Sequence, residues 1–81
     1  MNQQKFHDIM RDELDIYYMS EARPTAKGFI RKVDLELSDI ANRYGLPDTD
    51  KLTFFKYVKA KEADITARLT NLLNQLKKIS R

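Results

Sequence analysis

The fold turns on residues 48–79, which read Asp48-Thr49-Asp50-Lys51-Leu52-Thr53-Phe54-Phe55-Lys56-Tyr57-Val58-Lys59-Ala60-Lys61-Glu62-Ala63-Asp64-Ile65-Thr66-Ala67-Arg68-Leu69-Thr70-Asn71-Leu72-Leu73-Asn74-Gln75-Leu76-Lys77-Lys78-Ile79. No glycine or proline interrupts them. Phe55, Val58, Glu62, Ile65, Leu69, Leu72, Leu76 and Ile79 alternate at spacings of three and four. That period lines one face of an α-helix, and Glu62 alone spoils the stripe. Asp48 and Asp50 suit the positive end of a helix dipole. The spacing predicts one unbroken helix over residues 49–79. At about 1.5 Å per residue such a rod is about 45 Å long. A globule of this chain length is only about 30 Å across, so the last turns should project beyond it.

Working back along the chain, two clusters of breakers stand out. They are Arg23-Pro24-Thr25 and Gly45-Leu46-Pro47-Asp48. The segment between them begins with Thr25, whose hydroxyl can cap a helix. Ala26, Ile30, Val33, Leu37, Ile40 and Tyr44 then form an apolar stripe. Asp39 and Arg43 make an i,i+4 pair in the favourable order. Gly45 fits the residue just past a helix C-terminus, with Pro47 as a stop. The predicted helix spans residues 25–44. Before the first cluster, Phe6, Ile9, Met10, Leu14, Ile16 and Tyr17 share about half of a helical wheel. A helix over residues 3–21 must end before Pro24. The expected fold is therefore all-α, a single domain over residues 1–81. Two shorter helices pack on a long C-terminal one.

The chain has 81 residues and no cysteine, which excludes a disulfide-stapled domain. Its longest apolar run, Ile16 to Met19, is far too short to cross a bilayer. The N-terminus carries no secretory signal pattern. A soluble, cytoplasmic protein with no membrane contact is the expectation. The net charge of +3 is mild but uneven. Residues 1–22 hold two basic and five acidic side chains, a net −3. Residues 48–81 hold eight basic and four acidic, a net +4. An acidic first helix packed on a basic last one accounts for that asymmetry.

Little points to catalysis. His7 is the sole histidine, and the serines (Ser20, Ser38, Ser80) sit in no nucleophile-like context. Two glycines cannot build a phosphate-binding loop. No cofactor or metal is expected, and neither is an enzyme.

Binding is the remaining class. Leu72, Leu73, Leu76 and Ile79 fall on the projecting end and can serve as hydrophobic anchors for another protein. Lys77, Lys78 and Arg81 form a basic rim around them. A second copy is also a candidate partner. The flanks of the stripe are basic at Lys59, Lys61 and Arg68 but uncharged at Leu73, Gln75 and Ser80. Pairing through residues 69–79 avoids the like-charge repulsion that the middle would suffer.

One stretch resembles a helix-turn-helix: Leu37-Ser38-Asp39-Ile40-Ala41-Asn42-Arg43-Tyr44-Gly45-Leu46. An alanine is followed four residues later by glycine and then an apolar residue. On that resemblance residues 37–60 would form a DNA-binding element, and Lys51, Thr53, Lys56, Tyr57 and Lys59 would face nucleic acid. Against it, Asp48 and Asp50 stand where phosphate would approach, and the second apolar anchor falls one residue late. Ala41 and Gly45 also suit an ordinary helix–helix turn. Leu35 lies on the polar side of the second helix. It could join Tyr18 and Met19 in a small apolar patch.

Overall fold

The computed structural model describes residues 2–79, with side chains through Leu76. The described residues form five helices and no strand: α1 (Gln3–Ser20), α2 (Ala26–Leu35), α3 (Leu37–Tyr44), α4 (Asp48–Ala60) and α5 (Glu62–Ile79). The all-α class stands. The expected three-helix arrangement does not, because the second and third helices each divide in two.

The division at Lys61 has a visible cause. From Lys59 to Asp64 no large apolar side chain occurs, so nothing pins that turn to the core. Lys61 leaves helical geometry (φ −101°, ψ 18°), and its N–H reaches back only three residues to the Val58 carbonyl, at 3.0 Å. The division at Glu36 (φ −110°, ψ 20°) is gentler. Hydrogen bonds of helical span, Glu36 to Lys32 and Ile40 to Glu36, run straight through it. Here too the outward Leu35 leaves the backbone unpinned.

The breakers behave as the residues dictate. The Asn2 side chain caps α1, accepting from the Gln4 and Lys5 amides. The Thr25 hydroxyl caps α2 by accepting from the Gly28 amide at 3.0 Å. Gly45 takes the left-handed conformation, φ 70°. That lets the Leu46 amide return to the Ala41 carbonyl at 2.8 Å and buries Leu46.

The core joins all five helices. Phe6, Ile9, Met10, Leu14 and Tyr17 enter from α1, Phe29 and Val33 from α2, and Ile40 and Ala41 from α3. Phe54 and Val58 of α4 and Ile65 and Leu69 of α5 complete it. Phe6 meets Phe54 edge-on with ring centroids 5.7 Å apart, and Tyr17 lies 5.7 Å from Phe29. The shape is a narrow rod of 46 × 20 × 19 Å. Its length approaches that of the rod expected from a single helix, although no single helix spans it.

One ion pair joins the acidic first helix to the basic last one. Arg68 of α5 grips Asp15 of α1 with both carboxylate oxygens at 3.1 Å. Arg43 turns away from the expected Asp39 and pairs with Glu13 of α1, at 2.7 Å.

Candidate functional site

Along one face of α5, burial fades toward the C-terminus. Ile65 is fully buried, Leu69 is 4% exposed, Leu72 is half-buried and Leu76 is 55% exposed. These four side chains lie within about 60° of arc at 100° per residue. The stripe therefore runs off the end of the core with its chemistry unchanged. The cause lies in α1, which must stop at Ser20 ahead of Pro24 and so ends short of the last turns of α5.

The end of α1 still meets α5. The Tyr18 hydroxyl donates to the Leu72 carbonyl at 3.3 Å. Tyr18, Met19 and Pro24 then line a shallow groove of about 260 Å³ together with Leu73 and Leu76. A second groove of about 440 Å³ adjoins it, walled by Pro24, Ala26, Leu69, Thr66, Thr70 and Leu73. Pro24 and Leu73 line both. Lys27 and Glu62 stand at the rim of the second groove and Glu21 at that of the first.

Of the anchors expected from sequence, Leu73 and Leu76 are thus exposed and adjacent, and Leu72 is half inside the fold. The side chains of Lys77, Lys78 and Ile79, and all of Arg81, lie outside the described residues. Met19, 83% exposed, was legible only as a residue off the main face of α1. Leu35, which could have joined Tyr18 and Met19 in a patch, shares no groove with either. Leu35 lines a different hollow with Tyr17, Arg31 and Lys32.

The helix-turn-helix-like residues sit on α3, the Gly45 turn and α4. The Lys51 ammonium lies 2.9 Å from Asp48 and 3.4 Å from the Ser38 hydroxyl. Tyr57 is half-buried against Phe6, and its hydroxyl lies 3.4 Å from His7 Nδ1. Thr53 is half-buried as well. Lys59 is exposed but folds over the Phe55 ring at 4.7 Å, and Lys56 is exposed. The five residues do not share one exposed face.

A polar cluster also lies between α1 and α3. Glu13 is completely buried, and its Oε2 accepts from Arg43 at 2.7 Å and from the Tyr44 hydroxyl at 2.7 Å. The same hydroxyl lies 3.1 Å from Asp12. Glu13 Oε1 is buried with no partner. The hydrogen bond and charge of Glu13 hold the Arg43 guanidinium above its ordinary pKa. Burial first, then the bond to Glu13, lifts the Tyr44 phenol well above its usual value. One carboxylate oxygen held by a cation and a hydroxyl ties the two helices together, and Tyr44 and Asp12 also line an open hollow of about 480 Å³ with Asn2, Lys5 and Asp8. Among the described residues no group of three or more metal-ligating side chains converges, and no helix is long and apolar enough to cross a membrane. Compared with known protein families, with curated proteins and with solved structures, the chain matches none.

Proposed function

We propose that the chain is a small, non-enzymatic regulator or adaptor of the cytoplasm that works by binding another protein through the apolar end of α5. The observation that carries this reading is the fading burial along Ile65, Leu69, Leu72 and Leu76. A helix that keeps its apolar stripe after leaving its own core has surface suited to a foreign one. Leu73 and Leu76 are the anchors, with Met19, Tyr18 and Pro24 as the wall they work against. The three charged residues at the rim leave the centre of the patch apolar, as interface cores are.

The nucleic-acid alternative through residues 37–60 has weaker support. Lys51 pairs with Asp48 on the surface, and Tyr57 is half-buried against Phe6. Counterion release needs several cations facing phosphate together.

The test compares capture by the native chain with capture by the Leu73→Glu, Leu76→Glu double variant. Both side chains are exposed, so the variant keeps its helical circular dichroism. Native-only capture of a specific protein supports the reading. Equal capture by both proteins, or steeply salt-dependent binding to a random duplex, overturns it.

A further inference from the structure

Met10 and Met19 belong to one helix and meet solvent at opposite extremes. Met10 is 3% exposed, whereas Met19, at 83%, is the most open of the large apolar side chains described. Nine residues turn an α-helix through about two and a half revolutions, so the two stand on opposite faces of α1. Met1 lies outside the described residues. A thioether sulfur carries a lone pair that takes an oxygen atom from a peroxide. Thiolates would compete for that oxygen, but the chain has no cysteine. Exposure then decides which sulfur reacts, and it singles out Met19.

The surroundings of that sulfur decide what its oxidation does. Met19 lines the groove of about 260 Å³ with Tyr18, Pro24, Leu73 and Leu76. Among the described residues lining it, the sole side-chain donor is the Tyr18 hydroxyl, which is already given to the Leu72 carbonyl. Glu21, at the rim, is an acceptor when ionised. A sulfoxide oxygen at Met19 therefore finds no side-chain donor in the groove and stays hydrated. An apolar partner cannot cover it without stripping that water.

We propose that Met19 is a modification site: a peroxide oxidises its sulfur to the sulfoxide, and the apolar end stops holding an apolar partner while the fold stays intact. The loss of the partner rests on the protein-binding reading above, and the oxidation does not. In this step the sulfur lone pair forms the S–O bond as the O–O bond of the peroxide breaks. Sulfur is oxidised and the peroxide reduced. The departing hydroxide collects the proton of the transferred oxygen and leaves as water. The fold is indifferent because α1 ends one residue later, at Ser20, and enters the core through Phe6, Ile9, Met10, Leu14 and Tyr17.

Treatment of the folded chain with hydrogen peroxide tests this, read by peptide mass spectrometry, circular dichroism and retention on a phenyl column. Met19 should gain its oxygen at least about tenfold faster than Met10, whose sulfur is reached only when α1 opens, and urea should remove the difference. The chain oxidised at Met19 should leave the phenyl column earlier than the native one, with its helix content unchanged. Methionine sulfoxide reductase should restore the native retention. Met19→Leu should hold its retention through the same treatment, which separates Met19 from Met1. Equal rates at Met10 and Met19 overturn the modification site. Unchanged retention, a shift that Met19→Leu shares, or a loss of helix overturns the effect assigned to it. So does a partner that the native and oxidised chains hold equally. The protein-binding reading fails by a different result, equal capture with and without the Leu73 and Leu76 anchors, which leaves the measured oxidation of Met19 standing.

Discussion

Arg43 Nη1 lies 2.7 Å from Glu13 Oε2, and the two side chains meet water very differently. The Glu13 side chain is 1% exposed and that of Arg43 is 47% exposed. Removing the arginine strands a buried carboxylate whose other oxygen already lacks a partner. Arg43→Ala should therefore cost about 1–3 kcal/mol in urea unfolding. The Asp15–Arg68 pair is bidentate, but both members are a third or more exposed. Arg68→Ala should cost only about 0.2–1 kcal/mol. Equal costs would mean that burial does not separate the two pairs.

Alkaline pH should act through Tyr44. Its folded pKa is raised above the ordinary 10.0, chiefly by burial and then by the bond to Glu13. The contribution is complete below the unfolded value and is lost as pH climbs through the folded one. Stability should thus decline above pH 10 more steeply in the native chain than in Tyr44→Phe. Parallel profiles of the two proteins would remove Tyr44 from that dependence.

The two glycines should respond to alanine for opposite reasons. At Gly45 a methyl group meets nothing within 4 Å, but φ is 70°. Gly45→Ala should cost about 1–2 kcal/mol of backbone strain. At Gly28 the backbone is ordinary helix, where alanine is worth about 1 kcal/mol more than glycine. A methyl there would collide with the Tyr17 hydroxyl, which tips a rigid, buried ring packed on Phe29. Overpacking of this kind costs about 1–3 kcal/mol, so Gly28→Ala should be net destabilising. A rise in thermal midpoint for Gly28→Ala would show that the ring gives way freely.

Tyr18→Phe removes the hydroxyl that holds the Leu72 carbonyl. It should cost about 0.5–1.5 kcal/mol. Hydrogen exchange should quicken for the amides after Leu72 while those of Val33 and Ile40 stay protected.

Much of this fold is legible in the residues. The two breaker clusters, the Thr25 cap and the Gly45 terminus follow from side-chain and backbone chemistry acting over three or four residues. The joints at Glu36 and Lys61 are harder to see, since neither carries a proline or glycine. Their signal is a missing anchor, and of the turn without large apolar residues around Lys61 only Glu62 registers in the stripe. Phe29 and Phe54 are buried where the periodicity favoured Ile30 and Phe55. Each helix packs between several neighbours, which turns the buried arc by one position. Glu13 could not be anticipated as a buried acid, because its partner Arg43 comes from a helix thirty residues away. The projecting leucines were legible as a stripe that continues past the core. The part played by Tyr18 and Met19 was not, because it depends on where α1 ends in space.

The two joints share a numerical property. The buried residues on either side of each, Val33 and Ile40, Val58 and Ile65, are seven apart. Seven residues turn a helix through almost two full revolutions, leaving a residue of only about 20°. Each joint therefore changes the heading of the chain without changing which side looks inward. Length, rather than the identity of residues 59–64, keeps that alignment. Substitutions in this turn leave the direction of Leu73 and Leu76 untouched. The loss or gain of one residue would swing them through about 100° and carry them away from Tyr18 and Met19 to another side of the rod.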